Sequence, residues 1–249
     1  MVDNQEVVVA VIPARWGSTR FPGKVLAEIA GEPMISHVVR HAGEATRVDR
    51  VLVATDDLRI ARVAEAAGAE AVMTGECVSG TDRVAEAMLG RSGWEIVINV
   101  QGDEPLIAPD NIDVLVDGMI GTPDVGMATL CRPLEPQRAT DPNAVKVVRD
   151  VRGRALYFSR AAIPFPRRAD VAEGLWRLHL GIYGYRRDVL ARFVDLEPSL
   201  LERAEALEQL RALENGIDIL VLDAPRGAFG VDTPEDLEQV QRLLERGVF

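Results

Sequence analysis

Short, nearly unbroken apolar runs alternate with amphipathic stretches along the first 105 residues of this 249-residue chain. Val7–Ile12, Val51–Ala54, Glu70–Met73 and Glu95–Val100 are runs of the length expected for buried strands. Each is rich in Val, Ile or Ala and bounded by Gly, Pro or acidic residues. Between them lie three stretches of helical period. Pro33–Ala45 puts Met34, Ile35, Val38 and Val39 on one face. Leu58–Ala67 has Asp56 or Asp57 as its cap and is stopped by Gly68. A third begins at Ser79–Thr81 and runs to about Leu89. Strands and helices alternating at this spacing predict right-handed crossovers and a parallel sheet covered by helices, an α/β fold. Ligands of such sheets lie beyond the carboxyl ends of the strands. Two loops leave that edge: Val11–Lys24 after the first strand and Gln101–Pro105 after the fourth.

The pattern is less regular afterwards. Pro109–Ile120 reads as a helix, and Val125–Cys131, Ala144–Val148, Ala155–Phe158 and His179–Tyr185 read as strands. Arg160–Val171, with Pro164 and Pro166, reads as an irregular excursion. Leu200–Asn215 is the clearest helical period. Leu200, Ala204, Leu207, Leu210 and Leu213 form its apolar stripe, Glu202, Glu205 and Gln209 lie on another face, and Gly216 ends it. Ile217–Leu222 is a strand, and Thr233-Pro234-Glu235-Asp236 opens a last helix with cap, proline and acidic first turn. No linker, repeat or low-complexity segment divides the chain, so residues 1–249 read as one domain, with 130–186 a candidate inserted subdomain.

Composition removes several function classes. A net charge of −11 argues against a nucleic-acid or anionic-membrane surface. No apolar stretch approaches the roughly 18 residues that span a bilayer, and no basic region precedes the first apolar run as in a signal peptide. Cys77 and Cys131, far apart and without metal-type spacing, suggest reduced thiols in a cytoplasmic protein, a single disulfide being the alternative. Among 28 basic residues only Lys24 and Lys146 are lysines. Where arginine is the default cation, a retained lysine marks a position needing a compact ammonium, or survives by chance.

The loop from Val11 to Lys24 sets Arg15, Arg20 and Lys24 among Pro13, Gly17, Pro22 and Gly23. Glycines admit close backbone approach and cations balance phosphate charge, so the loop suits a polyphosphate. It is not a P-loop of the ATPase kind: five residues separate Gly17 from Gly23, and Val25 stands where Ser or Thr would follow the lysine. No G-x-G-x-x-G, G-x-S-x-G or H-E-x-x-H occurs, and His37, His41 and His179 are too scattered for a histidine metal site. What remains is carboxylate chemistry. Asp103 follows a central strand in a tight glycine loop, and Asp232 lies between a glycine turn and a helix start. Oxygen ligands of this kind suit Mg²⁺, which binds one or two carboxylates plus substrate phosphates. A cationic loop with two carboxylates is a minimal kit for nucleotidyl transfer. Each carboxylate also has a plainer reading, Asp232 as a helix cap and Asp103 as a loop closer.

Eight blocks occur in order over nearly the whole chain: PARWGSTRFPGK (13–24), SGTDR (79–83), INVQGDEP (98–105), NAVKVV (143–148), ALYFSRAAIP (155–164), HLGIYGYR (179–186), LEQLRALENG (207–216) and GVDTPEDL (230–237). Together they resemble the 3-deoxy-manno-octulosonate cytidylyltransferase family, the CMP-Kdo synthetases. The resemblance implies a Rossmann-like nucleotide-diphospho-sugar transferase sheet with an inserted mixed α/β dimerisation subdomain, a homodimer, and a place in lipopolysaccharide biosynthesis. It implies CTP and Mg²⁺, with the anomeric hydroxyl of a small acid attacking the α-phosphorus and releasing pyrophosphate. By match, Lys24, Asp103 and Asp232 are catalytic and the two aspartates hold the metal. Arg15, Arg20 and Lys24 face the triphosphate, while Ala14, Arg15, Ser79 and Gln101 surround the cytosine end. Arg160, His179, Tyr183, Glu208 and Gln209 line the acceptor pocket.

The chain departs from the family at Cys77, where many members have His, at Leu200, where many have Pro after Ser, and at Asp141, which replaces Asn before Pro142. These departures leave cytidylyl transfer in place and bear on the acceptor, which in relatives includes 8-amino-Kdo and phosphonoformate. Read on their own, His179 is a hydrogen-bonded strand residue and Glu208–Gln209 a solvated helix face. A regulatory nucleotide-binding module is the reading from another class, opposed by the intact Lys24, Asp103 and Asp232. A glycosyltransferase would carry Asp-x-Asp, a spacing QGDEP lacks.

Overall fold

A computed structural model describes residues 7–17, 21–168 and 174–245. The chain forms two compact units, residues 1–116 with 226–249 and residues 117–225. The second is wider than the 130–186 segment that the sequence marks off.

The first unit opens with β1 (Val8–Ala14), all but one of whose residues are buried. A small hairpin, β2 (Glu28–Ile29) and β3 (Glu32–Pro33), turns through Ala30 and Gly31, both at positive φ. Then come α1 (Met34–Glu44), β4 (Arg50–Thr55), α2 (Leu58–Ala66), β5 (Glu70–Met73), α3 (Gly80–Met88) and β6 (Ile96–Asn99). The strand order β6-β1-β4-β5 is parallel throughout, as the short buried runs require. Asp57, not Asp56, caps α2 by accepting the Arg59 N–H at 2.8 Å. Asp56 instead pairs at 2.7 Å with the buried Arg83. Both cysteines are free thiols.

α4 (Pro109–Gly121) leads into the second unit. There β7 (Met127–Pro133), β8 (Lys146–Arg149), β9 (Ala155–Ser159) and β10 (Arg177–Arg186) are followed by α5 (Arg187–Val194), α6 (Leu200–Glu205), α7 (Gln209–Glu214) and β11 (Ile219–Asp223). β7 lies between β11, parallel to it, and β10, antiparallel; β8 and β9 extend the array from β10. No helix or strand forms over Arg160–Arg168, as the prolines predict, and residues 169–171 of that excursion lie outside the described ones. α8 (Pro234–Glu245) returns to the first unit. Among the described residues no helix is long and apolar enough to cross a membrane.

The single helix expected over Leu200–Asn215 is two helices. A Ser199–Glu202 capping box starts α6, and Ala206 ends it in the left-handed conformation, φ 50°. The break alters the expected burial at its first turn, while Leu207 and Leu210 are buried as the stripe predicts. Leu200 is exposed, whereas Glu202 is buried and makes a two-bond pair with Arg211 at 2.6 and 2.8 Å. A buried charge persists where its partner is buried with it, and this pair ties α6 to α7 beside the buried Leu207 and Leu210.

Candidate active site

Three segments distant in sequence meet in the first unit. Gly23, with φ 71°, starts a short 3-10 turn at Lys24. Its left-handed backbone suits glycine, and an added Cβ would also lie 2.7 Å from the Trp16 indole. The opposite demand for space explains Gly102: a Cβ there would approach the Pro13 carbonyl oxygen to 2.9 Å. The end of β1 and the loop after β6 are thus packed backbone to backbone. The third segment is seated by burial of Val231 in a cluster with Ile29, Met34, Leu106 and Val240. The Val231 N–H then donates to the Asp103 carbonyl at 2.8 Å.

These constraints bring Asp103 and Asp232 onto one cation. Lys24 Nζ donates to Asp103 Oδ2 at 2.6 Å, the Val231 carbonyl at 2.9 Å and Asp232 Oδ1 at 3.0 Å. Three acceptors match the three protons of an ammonium, and no planar guanidinium fork would fit them equally. Burial works against the Lys24 charge, but Asp103 and then Asp232 outweigh it and hold the ammonium above its ordinary value. Next to this cluster, burial pushes the Glu104 carboxyl up to about 8, with the Asp103 charge adding to the effect.

The helix-cap reading of Asp232 fails on the same geometry. Asp236 Oδ2 accepts the N–H groups of Asp232 and Thr233 at 3.0 and 2.9 Å, and Thr233 Oγ1 accepts the Asp236 N–H at 3.2 Å. Thr233 and Asp236 therefore cap α8, and the Asp232 carboxylate turns to Lys24. The donor set fits a hard divalent cation in kind: two carboxylates and a carbonyl share one positive point, all oxygen. Among the described residues no group of three or more His, Cys, Asp or Glu side chains gathers as a metal site, so the two aspartates and the carbonyl are what this site offers.

Of the other residues expected at the nucleotide, Ala14, Arg15, Ser79 and Gln101 follow or end strands of the first unit or cap its helices. Ala14 ends β1, buried, in register with Thr55 of β4, and Arg15 follows it, exposed. Arg20 lies outside the described residues. Ser79 is the N-cap of α3, its Oγ accepting the Asp82 N–H at 3.1 Å. Gln101 Nε2 donates to Asn99 Oδ1 at 3.3 Å. One neighbour escapes a reading of sequence: Arg59 stacks on the Trp16 ring at 3.5 Å while Asp57 holds its guanidinium.

The proposed acceptor residues all belong to the second unit. His179 and Tyr183 stand on β10 with ring centroids 5.4 Å apart, and Phe158 meets His179 edge-on at 5.0 Å. Burial pulls His179 down to about 3 and raises Tyr183, the latter helped by the charges of Tyr185 and Glu208. Glu208 is therefore within electrostatic reach of the ring pair. It is also the N-cap residue of α7. Gln209 is buried, against the expected solvated face, and its Nε2 has no partner among the described residues.

Arg160 differs from the others, since its guanidinium donates to the carbonyls of Glu205 (2.7 Å), Pro142 (2.9 Å) and Ala206 (3.3 Å). It ties down the α6–α7 break. The buried Lys146 donates to the Arg160 and Asp141 carbonyls at 2.5 and 2.9 Å, so both lysines act as compact multi-acceptor ties. Thr129, which the sequence reading passes over, contacts His179; its only signal there is a lone hydroxyl inside the apolar run Val125–Cys131.

Comparison with known proteins bears on the whole chain. The cytidylyltransferase family model matches residues 9–219. A 3-deoxy-manno-octulosonate cytidylyltransferase of an Anaeromyxobacter species is 54% identical, over 96% of this chain and 98% of that one. The Escherichia coli protein of that name is 47% identical, over 95% of each. A solved CMP:2-keto-3-deoxy-manno-octonic acid synthetase, complexed with CTP, superposes with a TM-score of 0.93 at 44% identity, covering 98% of this chain and 100% of that one. With two aspartates on one lysine at the carboxyl edge of a parallel sheet and relatives aligned almost end to end, the chain belongs to the cytidylyltransferase family, among the 3-deoxy-manno-octulosonate cytidylyltransferases.

Proposed function

We propose that this enzyme transfers CMP from CTP to the anomeric hydroxyl of 3-deoxy-manno-octulosonate (Kdo). The hydroxyl oxygen bonds to the α-phosphorus as the bond to the α–β bridging oxygen breaks. Pyrophosphate leaves with that electron pair, and the hydroxyl proton passes to the medium. The observation that carries the reading is the cluster of Asp103, Asp232 and the Val231 carbonyl on Lys24 Nζ. Asp103 and Asp232 would hold Mg²⁺, which supplies positive charge at the α-phosphate when bound. With the carboxylates so engaged, the Lys24 ammonium would turn to phosphate oxygens. Arg15 adds charge beside them, and Ser79 and Gln101 offer polar atoms to the cytosine. In the second unit His179, Tyr183, Glu208 and Gln209 would contact the acceptor, with Arg160 bracing the chain break that presents the last two. The exposed Leu156 and Phe165 of that unit support a homodimer, and we infer a cytoplasmic reaction from the use of CTP.

The test is pyrophosphate release from CTP and Mg²⁺ with Kdo, 8-amino-Kdo and phosphonoformate offered separately. Release with Kdo at the highest kcat/KM is expected. Release only with another acid overturns the acceptor, and release with none overturns the catalytic reading in favour of a regulatory module.

A further inference from the structure

β10 does not run evenly along β7. His179 pairs with Cys131 and Leu180 with Leu130, but the next partner of β7, Thr129, is Tyr183. Gly181 and Ile182 are left over in a bulge, where ladder hydrogen bonds are interrupted. The Thr129 side chain fills that gap. Its Oγ1, fully buried, lies 2.7 Å from the Ile182 carbonyl oxygen, 3.1 Å from the Leu180 carbonyl oxygen and 3.0 Å from His179 Nε2.

A hydroxyl has one proton and two lone pairs. Carbonyl oxygens only accept, so at 2.7 Å the Ile182 carbonyl needs that proton; without it two lone pairs would face each other in a dry interior. The Thr129 proton is therefore committed to the backbone, and Oγ1 faces the imidazole as an acceptor. His179 Nε2 must then carry the hydrogen. The second ring nitrogen, Nδ1, is a bare lone pair, and it has no hydrogen-bond partner among the described residues. Phe158 and Tyr183 crowd the ring, which leaves an imidazolium poorly solvated.

We propose that Thr129 is a positioning and specificity-determining residue: by accepting from His179 Nε2 it fixes the imidazole tautomer, so that Nδ1 accepts a hydrogen bond from a hydroxyl of the acceptor. This rests on the assignment of His179 to the acceptor pocket. Its consequence is chemical selection. A donor such as a sugar hydroxyl is welcomed at Nδ1, whereas an ionised carboxylate or phosphonate oxygen there would set lone pair against lone pair. Sites built to pair a substrate hydroxyl reject analogues without it strongly, because the buried partner is left unsatisfied. A polyhydroxylated acid is favoured over a compact phosphonate acid.

Imidazole ¹⁵N NMR reads the tautomer directly. The chain has three histidines, so His179→Gln assigns the signal. The wild type should show a neutral Nε2–H imidazole at pH 7. Thr129→Val, close in shape but without the hydroxyl, should give a mixed tautomer and raise KM for Kdo about tenfold, the scale of one hydrogen bond. Its kcat should stay within about threefold and KM for CTP should not move. Thr129→Ser should restore tautomer and KM. A wild-type Nδ1–H or protonated imidazole overturns the proposal without any variant, as does a Thr129→Val enzyme with unchanged KM for Kdo. If His179→Gln raises that KM while Thr129→Val does not, the pocket stands and the role of Thr129 falls. If His179→Gln leaves it unchanged, the pocket assignment itself falls.

Discussion

In the first unit the candidate site is made of ions held by ions; in the second it is made of rings held by hydroxyls and backbone. Lys24 gathers Asp103 and Asp232 within 3.0 Å, with Asp232 two-thirds exposed to water. His179 stands among Phe158, Tyr183 and the Thr129 hydroxyl, where burial holds its imidazole down at about 3. The difference follows from what each half would handle. A triphosphate is a concentration of charge that cations offset, and two carboxylates side by side are made tolerable by the ammonium between them. A sugar acid presents hydroxyls that are told apart by directional hydrogen bonds in a dry setting. Charge acts over distance and forgives small displacements, whereas a tautomer does not.

The largest effect tests the charged half. Asp103→Asn keeps the shape and removes the charge, and kcat should fall on the order of 10²–10³-fold. Stability should change little, because Asp232 and the Val231 carbonyl still receive the ammonium. Pyrophosphate release within about threefold of wild type would refute the metal assignment and with it the contrast between the halves.

The next effect is structural and lies in the second unit. Glu202→Ala strands Arg211, whose pair with Glu202 is almost wholly buried, at a cost of about 3–5 kcal/mol. Denaturant unfolding should show that loss. A loss under 1 kcal/mol would mean that the break between α6 and α7 is held by Arg160 alone.

A smaller change separates the two halves kinetically. Gly102→Ala drives a Cβ to 2.9 Å from the Pro13 carbonyl, a backbone atom that cannot swing aside. Overpacking of this kind costs about 1–3 kcal/mol and should appear as a raised KM for CTP, with KM for Kdo unmoved. Equal rises in both would show that the first loop does not serve the nucleotide alone.

The first unit was legible because its signals are local. Strand, loop and helix follow one another at short range, and Gly102 and Asp103 sit just past the end of β6. The convergence of Lys24, Asp103 and Asp232 could be suspected from their positions at one sheet edge. The capping box of Thr233 and Asp236, which frees Asp232, could not be weighed without geometry. The second unit hid more. Helical period alone ran α6 into α7, because a left-handed Ala206 leaves no composition signature, and the same period put Glu202 and Gln209 in water. The bulge at Gly181–Ile182 depends on pairing with a strand 50 residues earlier, so the meeting of Thr129 with His179 has no local trace beyond one hydroxyl in an apolar run.

The smallest effect is the most specific to the neutral half. Burial pulls His179 from the ordinary histidine value of 6.5 down to about 3. A folded value below the unfolded one means that the stability from a neutral imidazole is whole above pH 6.5 and is lost as pH falls toward 3. In that window the unfolded chain binds a proton that the folded chain refuses, with a slope of up to about 1.4 kcal/mol per pH unit, reduced by whatever water reaches the ring. Below the ordinary carboxylate range, the lowered Glu202, Asp223 and Asp236 add losses of their own. They leave pH 6.5 to 5 undisturbed, but there the raised Glu104, protonated in the folded chain and ionised in the unfolded one, adds a slope of opposite sign. His41, also lowered by its burial, contributes there too, so the slope must be compared between proteins and not read from one. His179→Asn should flatten it relative to wild type, and His41→Asn should flatten it by a separate, additive amount. A His179→Asn protein with the wild-type slope would mean that the imidazole is protonated in the folded state, and a charged His179 would remove the distinction between a half that binds by ions and a half that selects by hydrogen bonds.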